Sequence, residues 1–257
     1  LQAILLGIIQ GLTEFLPVSS SGHIQLGEAL LGVTTTESLS FTVIVHAATV
    51  LSTMVVFRSD IASILAGLFR REPDAWRFAG LVILSMIPAA IIGLTMSEQL
   101  EGLFGEDLTL VGICLLVTAL ILMLTTIAPG GNKDVSYGKA ILIGLAQAIA
   151  ILPGISRSGS TISVALYLGI DKSKATQFSF LMVIPLILGA ALVDVKDMVE
   201  TPSATPLAPG VMVAGFVAAF LAGLFACSAM VRIVKRGKLW YFAIYCAVVG
   251  VLALVLG

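Results

Sequence analysis

The sequence predicts an all-α polytopic membrane protein: six transmembrane helices plus two re-entrant helix hairpins, arranged as an inverted-topology repeat. Three observations carry that prediction. Of 257 residues, 58% are hydrophobic and only 11% are charged, against roughly 25% charged in a soluble domain; the mean hydropathy is +1.10. Apolar runs near the length of about 20 residues that a bilayer requires recur along the chain. Two further apolar stretches are each interrupted near the middle by proline and a serine/glycine run. The net charge of −1 gives no footing for a nucleic-acid partner. Cys114, Cys227 and Cys246 are isolated in apolar runs and are expected to be packing residues.

The first interrupted stretch, residues 2–32, breaks at P-V-S-S-S-G. No basic region precedes it and no small-residue cleavage site follows it, so it is expected to belong to the membrane domain and not to a signal peptide. Span one is Phe41 to Phe57, ending at Arg58. Span two is Leu81 to Met96 with its flanks, where Pro88 is expected to kink the helix. Span three is Leu108 to Ala128. The second interrupted stretch, residues 139–170, breaks at P-G-I-S-R-S-G-S-T. Ala175 to Val195 is span four, with Pro185 as a second expected kink; Val211 to Val231 and Leu239 to Leu256 are spans five and six. Each half of an interrupted stretch is too short to cross about 30 Å of hydrocarbon at 1.5 Å per residue, which is why both are read as hairpins that dip in and return.

The charges support this layout. Arg58, Arg70, Arg71 and Arg77 follow span one; Lys133 and Lys139 follow span three; Lys172 and Lys174 follow the second hairpin; Arg232, Lys235, Arg236 and Lys238 follow span five. These make 12 of the 14 basic residues, all on one side if neither hairpin crosses. The opposite side is acidic, with Glu98, Glu101, Glu106 and Asp107 after span two and Asp194, Asp197 and Glu200 after span four. The positive-inside rule then places the basic loops in the cytoplasm, so that the first hairpin enters from outside. A shift of 137 aligns Gln10 with Gln147, Ser19 with Ser156, Ser21 with Ser158 and Gly22 with Gly159. The single membrane domain, 1–257, therefore reads as repeat one (about 1–128) and repeat two (about 138–257), each a hairpin plus three spans. Three spans are odd in number, so the second copy is upside down.

The breaks concentrate the chemistry. Gln10 and Glu14 are four residues apart and share a helix face; Pro17 ends that helix, and Ser19, Ser20 and Ser21 are cap and turn residues for a helix starting near His23. Glu14, His23 and Arg157 lie at the breaks, with Glu28 and His46 nearby. A charge at the membrane centre costs about 2.5–3.5 kcal/mol, so these groups imply a polar cavity with partnered charges, or a structural Glu14–Arg157 ion pair joining the repeats. His46, alone on an apolar helix, is more often a packing residue. Two helix N-termini pointing inward, with Ser156, Ser158, Ser160 and Thr161 around Arg157, would cradle a phosphate. Glu14 or His23 could take a serine proton, and a carboxylate facing a polyphosphate could hold a divalent ion. An anion carrier of the broken-helix type remains the alternative.

The motifs Q-G-L-T-E-F-L-P-V-S-S-S-G-H (10–23) and P-G-I-S-R-S-G-S-T (153–161) resemble the two signatures of the bacitracin-resistance-type undecaprenyl pyrophosphate phosphatases. The likeness continues through A-T-Q-F-S-F-L-M-V-I-P (175–185) to the last span. It implies a multi-pass enzyme of the bacterial plasma (inner) membrane that takes the terminal phosphate from undecaprenyl diphosphate and recycles the carrier lipid for peptidoglycan synthesis. Its active site would open to the outer, periplasmic face. Bacitracin would act on the shared substrate and not on the protein; a homodimer is left open. The resemblance further implies Ser20 as nucleophile, Glu14 as base or metal ligand with Gln10 beside it, and His23 assisting proton transfer. Arg157, Ser156, Ser158 and Thr161 would bind the pyrophosphate, with Ser19 and Ser21 flanking it, and a divalent cation, Mg2+ or Ca2+, would take part. A transporter or flippase for phosphate or a lipid phosphate is the competing reading.

Overall fold

The computed structural model describes residues 1–31, 39–96, 99, 108–129, 131–200 and 208–256. The expected acidic loop at Glu98, Glu101, Glu106 and Asp107, and the side chain of Glu28, lie outside the described residues. The described chain is helical: α1 (Gln2–Thr13), α2 (Ser20–Leu31), α3 (Leu39–Val56), α4 (Arg58–Phe69), α5 (Pro73–Thr95), α6 (Leu108–Leu124, extended by a 3-10 turn Thr125–Ile127), α7 (Tyr137–Ile149), α8 (Arg157–Tyr167), α9 (Lys172–Leu181), α10 (Val183–Glu200), α11 (Pro209–Lys235) and α12 (Trp240–Leu256).

Four helices are long and apolar enough to cross a bilayer: Pro73–Thr95, Leu108–Ile127, Lys172–Val193 and Pro209–Lys235. A fifth is reached if α3 and α4 count together, although the chain bends by 78° between them. The expected sixth, α12, has 17 residues, about 25 Å at 1.5 Å per residue. Pro88 lies inside the uninterrupted α5. Pro185 acts earlier than its own position. It has no N–H for the Leu181 carbonyl, and α9 ends at Leu181.

Both interrupted stretches form two short helices, as their prolines require. The second pair closes on itself: Lys133 N–H donates to the Gly169 carbonyl (3.1 Å) and Asp171 N–H donates to the Lys133 carbonyl (3.1 Å). The chain thus returns to the place from which α7 departed. The four basic segments are also tied together at this end. Arg77 donates to the Val135 carbonyl (3.3 Å), Gln177 to Asp60 (2.6 Å), and Lys174 pairs with Asp134. A Cβ on Gly237 would lie 2.9 Å from the Lys172 Nζ.

Helix pairing is dominated by α1 with α11, α6 with α12, α3 with α11 and α10, and α5 with α7. Lipid gives apolar helices no hydrophobic reason to associate, so small residues that let backbones touch supply the packing. A Cβ on Gly7 would stand 2.5 Å from the Gly215 carbonyl oxygen, and one on Gly11 2.4 Å from that of Ala219. The second hairpin repeats the device: a Cβ on Gly144 would meet the Ser85 carbonyl oxygen at 2.4 Å. Phe15 fastens the first break to the core, 2% exposed with its ring 5.8 Å from that of Phe180.

Candidate active site

The two hairpins meet tip to tip. Ser19 adopts a left-handed backbone, φ 70°, which a short polar side chain tolerates better than most. Its hydroxyl accepts from Gly22 N–H (3.4 Å) and, across the interface, from Gly154 N–H (3.1 Å). In return Ser158 donates to the Leu16 carbonyl (3.3 Å). Gly154 has φ 95°, and a Cβ there would stand 2.6 Å from both the Cys114 Cβ and the Val111 carbonyl oxygen. Thr118 on α6 grips the same tip, donating to the Gly154 carbonyl (3.0 Å) and accepting from Ser156 N–H (3.0 Å). Backbone groups that a break would leave orphaned in the membrane interior are therefore paired side chain to backbone.

Glu14 is the centre of this junction. It is 7% exposed and its two oxygens serve three partners. Oε2 accepts from Ser20 Oγ (2.8 Å) and from Gln10 Nε2 (3.1 Å); Oε1 pairs with Arg157. The ion pair joining the hairpins is present, and so is a hydroxyl whose proton already points at a carboxylate.

A cavity of about 440 Å³ opens over the pair. Its walls include Glu14, Ser19, Ser20 and Ser21 from the first tip, Gln147, Ser156 and Arg157 from the second hairpin, and His46 from α3. Helices α2 and α8 both start at this junction, so their first-turn N–H groups and positive dipole ends converge there. Ser156 caps α8, accepting from Gly159 N–H at 3.1 Å. Thr161 is 1% exposed and donates back to the Arg157 carbonyl (2.9 Å); it lines a small void behind the ion pair and is not among the cavity's lining residues.

His23 does not line the cavity. Its Nδ1 faces the Ser19 carbonyl (2.8 Å), which can only accept, so Nδ1 carries the hydrogen; in the neutral ring Nε2 then accepts from the Tyr245 hydroxyl (2.8 Å). The two rings stack with centroids 5.5 Å apart. His46 does line it. Its Nδ1 donates to the Thr42 carbonyl (2.9 Å).

For a divalent cation, the described residues contain no group of three or more His, Cys, Asp or Glu. Among the described residues Glu14 is the one carboxylate on the cavity wall. Gln10 Oε1 is buried with no hydrogen-bond partner, but the amide turns its Nε2 toward Glu14 and Gln10 is not among the cavity's lining residues. A cation held at the single carboxylate would take its other ligands from phosphate oxygens and water.

Residues 3–252 match the family model described as bacitracin resistance protein BacA. The chain belongs to the BacA family. An undecaprenyl-diphosphatase of Christiangramia forsetii is 54% identical over 256 residues, 98% of this chain and 96% of its own. One of Bacteroides fragilis is 49% identical over 257 residues, 99% of this chain and 97% of its own. One of Methanosphaera stadtmanae is 37% identical over 276 residues, all of this chain and 97% of its own.

Three contributors to the BacA-type junction were not legible beforehand. Thr118 and Tyr245 lie far from both motifs, and the available signal was a hydroxyl inside an apolar span. His46 had the signature of a packing residue, and only its tertiary position puts it on the cavity.

Proposed function

We propose that the protein is an integral-membrane phosphatase that hydrolyses undecaprenyl diphosphate to undecaprenyl phosphate and inorganic phosphate, recycling the lipid carrier for peptidoglycan synthesis. The observation that carries this reading is the Ser20 hydroxyl, 2.8 Å from the Glu14 carboxylate on the cavity wall. A hydroxyl is a weak nucleophile until a base takes its proton. Glu14 accepts that proton as Ser20 Oγ attacks the terminal phosphorus. The bond from that phosphorus to the bridging oxygen breaks, and the oxygen leaves with undecaprenyl phosphate. Water then attacks the phosphoserine, Glu14 returns the proton to Oγ, and inorganic phosphate is released.

Arg157 turns from Glu14 toward the phosphate as the substrate enters. Ser21, Ser156 and the first-turn N–H groups of α2 and α8 hold the remaining oxygens, donors aimed where negative charge accumulates. Ser19 and Ser158 keep the two tips in register, and Thr161 braces the turn that carries Arg157. His23 is a positioning residue, holding the Ser19 carbonyl and with it the aim of Ser20. Glu14 is the residue that would hold a divalent cation, Mg2+ or Ca2+, which when bound would neutralise phosphate charge. A carrier for phosphate or a lipid phosphate needs the cation and the cradle but has no use for an activated hydroxyl.

The arrangement that serves this chemistry is six spans, with α12 as the short sixth, and two re-entrant hairpins in an inverted repeat. The packing supports it: each hairpin's first arm, α1 or α7, packs on the second span of the other repeat, α11 or α5. The clustering of the basic segments at one end of the bundle supports a cytoplasmic face there, with the cavity open to the outer face of the inner membrane. The test is phosphate release from undecaprenyl diphosphate by the purified protein. Release is expected from the parent and lost in Ser20→Ala; release that survives in both Ser20→Ala and Arg157→Ala overturns the reading.

A further inference from the structure

Gln147 has no part in the mechanism above, and its surroundings require an explanation. It lies on the last turn of α7 and is 2% exposed, yet both its Oε1 and its Nε2 are buried without a hydrogen-bond partner. Among the described residues no other side chain leaves both ends of an amide in that state. Burying an unpaired amide is unfavourable, and native structures pair nearly all such groups. Rotation of the helix cannot relieve it, because Gly144, one turn earlier, is seated against the Ser85 carbonyl, where a Cβ would be only 2.4 Å away.

The repeat explains the missing partner. Gln147 corresponds to Gln10 under the shift of 137, and Gln10 spends its Nε2 on the Glu14 carboxylate at 3.1 Å. The position corresponding to Glu14 is Ile151, which offers nothing. The second break has the amide and no anion beside it. Gln147 nevertheless lines the cavity with Ser156 and Arg157, so an anion can be brought to it from there.

We propose that Gln147 is a substrate-binding residue of the second hairpin, its carboxamide taking up the diphosphate in place of the missing carboxylate. Its Nε2–H donates to a phosphate oxygen and its Oε1 accepts from a phosphate hydroxyl, the two edges of a carboxamide matching an O–P–OH group. This rests on the cavity receiving a phosphate ester, as in the phosphatase reading. Arg157 supplies the charge there; Gln147 supplies orientation, and a carboxylate in its place would repel the ligand.

The test compares the parent with Gln147→Leu and Gln147→Glu. The readouts are steady-state hydrolysis of undecaprenyl diphosphate, equilibrium binding of its non-hydrolysable methylene-bisphosphonate analogue, and thermal melting. Gln147→Leu is expected to melt at or above the parent temperature, since an apolar side chain replaces an unpaired amide. Its KM and the Kd of the analogue should rise about tenfold, the change that accompanies loss of one hydrogen bond to a charged oxygen, with kcat altered far less. Gln147→Glu should bind the analogue more weakly still. Gln147→Met provides the same comparison should Gln147→Leu not fold. Parental KM and Kd in the apolar variant overturn the proposal. A parent that binds the analogue without hydrolysing the substrate removes the phosphatase reading instead, and the binding comparison still decides the role of Gln147.

Discussion

Ser20 Oγ lies 2.8 Å from Glu14 Oε2, six residues back along the chain and on the far side of a proline break. Glu14→Gln keeps a hydrogen-bonding group at that place and removes the base. Turnover of undecaprenyl diphosphate should fall about 10²- to 10⁴-fold, the range for loss of a positioned general base, while the protein still folds. Loss of turnover in Ser20→Ala together with near-parental turnover in Glu14→Gln would separate the nucleophile from its assigned base.

The Glu14–Arg157 pair makes a different prediction for stability. Arg157→Met strands a buried carboxylate and should cost about 3–5 kcal/mol in equilibrium unfolding. Adding Glu14→Gln removes the stranded charge, so the double variant should recover most of that loss without recovering any phosphate release. Additive destabilisation in the double-variant cycle would mean that the two side chains do not depend on each other.

Gly154 is held at a positive φ with Val111 and Cys114 against the place a side chain would occupy. Gly154→Ala should therefore fail to yield folded protein. Ser19→Ala is milder. It leaves the Gly154 N–H without its acceptor and should cost about 1–3 kcal/mol, read as a lowered unfolding midpoint.

His23 and Tyr245 test positioning against proton transfer. Tyr245→Phe removes the donor to Nε2 but leaves the bond to the Ser19 carbonyl. Activity should fall by no more than about tenfold, with the limbs of the pH–rate profile where they were. Displacement of a limb would give His23 a proton to carry and return it to the reacting group.

At the basic end of the bundle, the Lys174 ammonium holds the Asp134 carboxyl below the usual carboxylate range by hydrogen bond and charge. A depressed carboxyl stabilises the fold above its unfolded pKa, and the contribution is lost as pH falls through the folded value. The pair should thus stay closed through mildly acidic pH and open only below the ordinary carboxylate range. In Lys174→Met the carboxyl resonance of Asp134 should titrate closer to its ordinary value.

What could be read in advance divides along physical lines. The Gln10–Glu14 contact and the break imposed by Pro17 are local, set by helix spacing and backbone chemistry within a few residues; the structure contains both, with α1 ending at Thr13, whose carbonyl Pro17 cannot serve. The meeting of Glu14 with Arg157 followed from the cost of unpaired charge in a membrane. The 78° bend after Val56 and the break ahead of Pro185 were missed or misplaced because hydropathy averages over such details. The rotation of His23 toward Tyr245 depends on a helix more than two hundred residues away, and no pattern near His23 encodes it.

The contact of Gly7 and Gly11 with Gly215 and Ala219 also sets a timetable. The seat for the first hairpin arm is built by α11, which leaves the ribosome some two hundred residues after α1, whereas α7 finds its seat on α5 already made. Synthesis runs from the N-terminus, so the segment carrying Glu14 and Ser20 waits longest for its support. Insertion of the nascent chain must shelter an arm too short to span the bilayer until the penultimate helix arrives. The half of the junction that carries Glu14 and Ser20 is then seated only after most of the chain has been made.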